Sequence, residues 1–338
     1  MTGRNAKSLR LATFAIAWLA ALGAASPAFG EERSGTGVLT LVVENDNFYG
    51  KTDGYYTSGI ALVWVPTGDR APDWALRFAR RLPWFPDGGQ VRHGYAFGQN
   101  IYTPLDITLA DPPLDERPYA GWLYGTIGLS IEKGRQFDQL ALTLGVVGPA
   151  SLAEETQKFG HDLTDSPEPQ GWATQLGNEP GIMLTYQRSW RAAAAATVAG
   201  LDLDLTPHFG GAVGNVYTYA NGGMTLRIGR RLGLDYGPPR IQPGISGAAF
   251  FAPRDRFTWY FFAGAEARAV ARNIFLDGNT FRDSRSVDTE PLVGDLQWGV
   301  TLAWRDLRLS YTHVRRSREF ETQLESDEFG SFSLSMAF

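Results

Sequence analysis

Large apolar residues alternate with small or polar ones along most of this chain, most clearly over its last nine residues. Between Gly330 and Phe338, the residues Phe332, Leu334, Met336 and Phe338 share one parity, while Ser331, Ser333, Ser335 and Ala337 take the other. A period of two places these sets on opposite faces of a β-strand. Comparable segments, broken by Gly, Pro and Asp, recur at 38–46, 55–65, 93–102, 119–132, 137–147, 181–191, 200–211, 217–230, 257–272, 293–304, 307–317 and 329–338. A soluble sandwich strand could alternate in the same way. Large apolar side chains paired with small polar ones, an even count of strands and a final Phe338 favour a single-chain membrane barrel, with apolar groups toward lipid and small ones toward the lumen. Tyr55, Tyr56, Trp64, Trp122, Tyr124, Trp190, Trp259, Tyr260, Trp298 and Trp304 fall near strand ends, where an interfacial belt is expected. No repeat of 20 to 50 residues points to a propeller or solenoid. The expected fold is all-β: a twelve-stranded antiparallel transmembrane β-barrel with a short helix in a long extracellular loop.

Before residue 31 the pattern is different. Arg4, Lys7 and Arg10 precede an apolar run from Leu11 to Ala25, and small residues follow near Ala28 and Gly30. This is the layout of a cleavable secretory signal peptide, giving a leader at 1–30 and a barrel domain at 31–338. Loss of three basic residues with the leader takes the net charge from −5 to −8. No other stretch is long and apolar enough for a transmembrane helix, and a closed barrel satisfies its backbone groups without one. A mean hydropathy of −0.20 taken alone suggests a soluble protein. In a barrel it reflects the polar loops and lumen. The chain has no cysteine, which excludes disulfides, thiolate metal sites and cysteine nucleophiles. The mild acidity gives no basis for a nucleic-acid partner, and the chain is expected to act as a monomer.

With both ends of an even-stranded barrel in the periplasm, the connections after odd strands face outward: 46–55, 102–119, 147–181, 211–217, 272–293 and 317–329. The longest, 147–181, holds a predicted helix, SLAEETQKFGHDL (151–163), with Ser151 and Glu154 spaced as a capping box. A second helical segment, 72–82, reads as a surface helix at a barrel rim. The densest polar cluster is Glu44 to Phe48 followed by Thr52 to Gly59. Such runs commonly form hairpin turns, and their oxygen atoms also suit a hard cation such as calcium, without EF-hand spacing. Gln157 and His161 are spaced i, i+4 and would share a helix face. A loop histidine is ordinarily just solvated, but imidazole is also the side chain suited to act as a general base near neutral pH. Asn45, Asp46, Thr57, Gln157 and His161 would all lie on one rim.

Five stretches in order resemble the LpxR-type outer-membrane lipid A 3'-O-deacylases: VENDNF…TDGYYTSG (43–59), GQNIYTP (98–104), DERPYAGWLYG (115–125), LGVVGPASLAEETQKFGH (144–161) and GWATQLGNEPG (171–181). The resemblance implies a twelve-stranded barrel in the outer membrane. It also implies a calcium-dependent esterase that removes the 3'-linked acyloxyacyl group of lipid A in the outer leaflet, its site lying between the barrel wall and a loop helix. By the same resemblance Asn45, Asp46, Thr57, Gln157 and His161 are functional positions. His161 would activate water, Asp46 and Asn45 would hold calcium against the oxyanion, and Gln157 and Thr57 would orient water, metal or substrate. No Gly-x-Ser-x-Gly elbow is present.

Two positions depart from the family pattern. Leu109 stands where some members carry a basic residue, and Pro167 stands where some carry an acidic residue six positions after the histidine, with Asp165 and Glu168 nearby. The first bears on recognition of a lipid A phosphate, and the second leaves the partner of His161 open. Two other readings remain at this point. One is a non-catalytic porin-like or structural barrel. The other is an outer-membrane phospholipase, a class that uses a Ser–His pair on the outer barrel wall.

Overall fold

Alternation is visible in the burial of most long strands, and together with the pairing register it places residues on the wall's outer face or in the lumen. The computed structural model describes residues 37–46, 55–66, 71–83, 86, 88–232, 241 and 254–338. The expected leader at 1–30 and residues 47–54 of the polar cluster lie outside the described residues. The strands are β1 (Gly37–Asn45), β2 (Tyr55–Pro66), β3 (Gln90–Thr103), β4 (Ala120–Lys133), β5 (Gln136–Val147), β6 (Glu179–Trp190), β7 (Ala194–Val198), β8 (Leu201–Gly214), β9 (Tyr217–Arg230), β10 (Arg254–Asn273), β11 (Leu292–Arg305), β12 (Leu307–Arg316) and β13 (Asp327–Ala337).

All the neighbouring pairs are antiparallel. The sheet closes where β1 pairs β13, in register from Val38 opposite Ala337 to Asn45 opposite Gly330, and where β6 pairs β8. β7 adds no stave to the barrel. It continues the line of β6 and pairs the lower half of β8, Ala194 opposite Leu205, so the barrel has twelve staves. One rim carries both the first and last strand ends. We call it the terminal rim, and the opposite one, with the long connections, the loop rim.

On β13 the serines are sealed, with Ser331, Ser333 and Ser335 at most 1% exposed, while Phe332 stays 40% and Phe338 50% exposed. Outward positions elsewhere repeat this, including Ile60, Leu62, Phe97, Leu144, Phe261, Leu296 and Leu302, and form the apolar belt that a membrane-spanning wall requires. The expected aromatic belt is only partly real. Trp64, Trp298 and Trp304 face outward, but Tyr56, Trp122 and Tyr124 face the lumen and join a buried cluster near the loop rim. Proximity to a strand end does not reveal on which side of the wall a ring lies.

The lumen is largely filled, around a cavity lined by Glu44, Tyr56, Tyr102, Glu266 and Arg316. At the loop-rim end, the connection after β10 turns inward through the one-turn helix Ile274–Asp277, whose Ile274, Phe275 and Leu276 are fully buried. Phe275 stacks on Tyr102 at 4.1 Å and 20°, corking the mouth. Below it lie ion pairs, Arg227 with Asp204 at 2.6 Å and Arg316 with Asp295 at 2.9 Å, while Glu266 accepts from Asn221 and meets His208 at 3.0 Å. Pairing of this kind is obligatory, because an unpaired charge in a closed lumen costs several kcal/mol. His208 lies well inside β8.

Among the described residues, two helices lie outside the wall. α1 (Asp73–Ala79), at the terminal rim, falls within the segment read as a rim helix and buries Ala79 in a cluster with Leu129, Ile131 and Leu140. α2 (Ala153–Thr164) belongs to the connection after β5. It starts two residues later than the sequence suggested, and the expected capping box is not formed. Ser151 sits instead in a preceding 3₁₀ turn (Pro149–Ser151), and Leu152 occupies the cap position in a left-handed conformation with φ 58°.

Candidate functional site

α2 reaches the barrel through small residues. A Cβ on Gly121 would come within 2.1 Å of the Ala153 Cβ and 2.2 Å of the Ser151 Oγ, so only glycine at this point of β4 lets the helix dock. Gln99 of β3 donates from Nε2 to the Ser151 carbonyl at 2.6 Å. Ile101, Tyr119, Ala153 and Trp172 form a buried cluster between wall and helix. With Ala153 at its base, the spacing i, i+4, i+8 lines Ala153, Gln157 and His161 along the buried face of α2, while Phe159 and Leu163 are exposed.

His161 is buried and its Nδ1 contacts the Pro167 carbonyl at 2.5 Å. A carbonyl only accepts, so Nδ1 carries the proton and, in the neutral ring, Nε2 is left as the acceptor. The carbonyl at position 167 therefore occupies the place for which the sequence offered no acid. It fixes the tautomer as a carboxylate would, without adding a negative charge. Gln157 is 4% exposed and its Oε1 accepts from the Trp172 indole Nε1 at 2.8 Å. Tyr119 packs against Trp172 with centroids 5.0 Å apart and donates to the Ile107 carbonyl. Burial pushes its phenol up to about 12, which keeps it a neutral donor.

The second group of residues sits on the adjoining strands. The register of β2 against β3 shifts between Tyr56 and Ser58, a bulge centred on Thr57. Counting back from outward Ile60, strict alternation would send Tyr56 outward and Thr57 into the lumen. The bulge reverses both. Tyr56 turns inward to donate to Glu44 Oε2 at 2.8 Å, and the Thr57 hydroxyl meets that of Thr103 at 2.6 Å. Thr103 shares the outer face of β3 with Gln99 and Ile101. Bulges commonly re-aim functional side chains in this way. Asn45 donates from Nδ2 to the Thr57 carbonyl at 3.1 Å, and Asp46 next to it is buried.

The five expected residues thus form two groups on the loop-rim end, joined through β3. Thr103 bonds Thr57 on one side, and Ile101, two residues before it, packs with Ala153 and Trp172 on the other. Sequence reasoning missed Thr103, Trp172 and Pro167 as contributors. Thr103 and Trp172 stand inside the quoted stretches, whereas nothing marked a proline carbonyl. Leu109 does stand at this site, its carbonyl close against Gly171, and it brings no charge. Among the described residues, no group of three or more His, Asp or Glu gathers as a metal site would require, so a cation here would rest on fewer carboxylates. One buried carboxylate, Asp46, beside the neutral oxygens of Asn45 and Thr57, is a donor set that fits a hard cation such as calcium.

A twelve-stave barrel with an apolar outer belt, a packed lumen and a polar site between wall and loop helix defines a class of outer-membrane protein. The chain matches the family described as "Outer membrane protein LpxR" over residues 15–338, and it belongs to that family. Its structure is similar to that of LpxR from Salmonella typhimurium, with a TM-score of 0.71 and 19% identity over 89% of this chain and 100% of that one. The β-domain of the Bordetella autotransporter BrkA matches far more loosely, with a TM-score of 0.43 and 11% identity over 90% and 100% of the two chains. No curated protein matches the chain in sequence.

Proposed function

We propose that this protein is a lipid A 3'-O-deacylase of the outer leaflet, dependent on calcium and active as a monomer. Membership of the LpxR family supports the substrate class. The observation that carries the chemistry is the His161 Nδ1 to Pro167 carbonyl bond, which leaves Nε2 able to accept a proton from water in a buried setting. Water attacks the acyl carbon as Nε2 takes its proton. Collapse then breaks the bond to the sugar 3'-oxygen, which receives the proton from Nε2, releasing the free acyloxyacyl acid. A calcium ion held by Asp46 and Asn45 would supply positive charge against the oxyanion. Thr57, anchored by Thr103, orients water or substrate oxygens beside it.

The packed lumen disfavours a porin, since Phe275 and the ion pairs beneath it fill the path a solute would take. A phospholipase-type Ser–His pair is disfavoured as well, because the ring of His161 bonds the Pro167 carbonyl and no serine hydroxyl among the described residues bonds it. Mass spectrometry of lipid A from cells expressing the wild type or His161→Ala tests the proposal. Loss of one acyloxyacyl unit in the wild type alone, abolished by chelating calcium, is the expected result. Unchanged lipid A with a folded wild-type barrel would sink it.

A further inference from the structure

The amide of Gln157 has a chemically fixed orientation. An indole N–H can only donate, so the atom 2.8 Å from Trp172 Nε1 must be the amide oxygen and not its nitrogen. Trp172 is itself 2% exposed and held by packing against Tyr119 and Ile101, so it cannot turn to follow a flipped amide. The planar amide directs its NH₂ group away from the indole. That Nε2 is buried without a hydrogen-bond partner. A buried donor left unpaired is costly, and this one is one helical turn from His161 on the same face of α2.

We infer that Trp172 is a positioning residue that locks Gln157 as a hydrogen-bond donor, and that the Gln157 NH₂ is offered to the acyl carbonyl oxygen of the substrate as it gains negative charge. The inference rests on the deacylase reading for its substrate. It sharpens the role of Gln157, because the amide oxygen already accepts from the indole and the NH₂ group is the part left unpaired. A donor placed in advance acts where charge develops in the transition state, and so affects kcat more than KM.

The test uses the purified full-length protein in detergent, hexa-acylated lipid A and calcium, with heat-modifiability on gels confirming that each variant is folded. Gln157→Glu keeps an acceptor for the indole but cannot donate when ionised. It should lose about 10²–10³-fold in kcat, as should Gln157→Ala. Trp172→Phe keeps the ring packing and frees the amide to flip. It should lower kcat with KM little changed, and in combination with Gln157→Ala it should cost nothing further. A Gln157→Glu enzyme within a few-fold of the wild type, or additive losses from Trp172→Phe and Gln157→Ala, would overturn the inference. The Trp172 indole ¹⁵N–H resonance, assigned by its loss in Trp172→Phe, gives a readout independent of turnover. It should be slow to exchange, shift in Gln157→Ala and persist in Gln157→Glu. A resonance indifferent to Gln157→Ala overturns the lock itself, whereas an inactive wild type with the lock intact overturns the deacylase reading instead.

Discussion

Two helix-bearing connections leave the loop rim and end on opposite sides of the wall. The connection after β5 lays α2 along the outside, and its buried face is largely polar, with Gln157 and His161 over a small Ala153. The connection after β10 drops its helical turn into the mouth, and its buried face is Ile274, Phe275 and Leu276. The inner helix fills space and is held by stacking on Tyr102 and by edge contacts with Tyr217. The outer one rests on Gly121 of the wall and is tied there by Gln99, which donates to the Ser151 carbonyl just before the helix. The division shows how one barrel can be corked on the inside and hold its candidate site against the outer face of its wall.

Each side of this contrast can be broken by itself. Replacing His161 with Ala should reduce deacylation by about 10²–10⁴-fold, read from lipid A spectra, without changing the barrel's heat-modifiability. Replacing Phe275 with Ala should do the opposite. Removing a fully buried ring costs about 3–5 kcal/mol, seen as a lower unfolding temperature and as ion conductance in planar bilayers that the wild type lacks. Persistent silence in the bilayer would mean that the cork lies elsewhere.

A third change targets the buried contact that ties the loops over the mouth. Arg117 donates to Glu319 at 2.6 Å, 202 residues away, with both side chains almost sealed. Burial pushes the Glu319 carboxyl up, but Arg117, Arg316 and Arg268 outweigh it and hold the carboxyl below its usual range. A depressed folded pKa makes this contribution complete above the ordinary carboxylate range and lost as pH falls through the folded value. Protease protection of the loops should therefore fail only in acid below that range. Glu319→Gln should weaken the rim by about 3–5 kcal/mol at neutral pH, because it strands buried cations, and should flatten the acid transition. The smallest effect is expected at Ser151. Since its hydroxyl is buried without a partner and caps nothing, Ser151→Ala should change stability by less than about 0.5 kcal/mol, well under a true capping loss. A loss of 1 kcal/mol or more in thermal unfolding would restore the capping box.

Much of the site was legible because its residues are local in sequence. Gln157 and His161 announce a shared face by spacing alone, and Asn45, Asp46 and Thr57 stand within one short polar stretch. What could not be read was aim. Thr57 faces the site only because of a bulge, which depends on how Tyr56 settles with Glu44 and Tyr102 inside the lumen. The partner of His161 was invisible because backbone carbonyls leave no mark on composition.

By itself, then, the sequence determined the strands, most of their inner and outer faces and the residues of the candidate site. Alternation follows from backbone geometry that each residue carries with it. Only the tertiary structure decided which connection lies outside and which corks the mouth, which aromatic rings leave the expected belt for the lumen, and which atoms of Gln157 and His161 remain for chemistry. Those outcomes depend on partners such as Phe275 for Tyr102 and Trp172 for Gln157, which meet only once the wall has closed and its loops have docked.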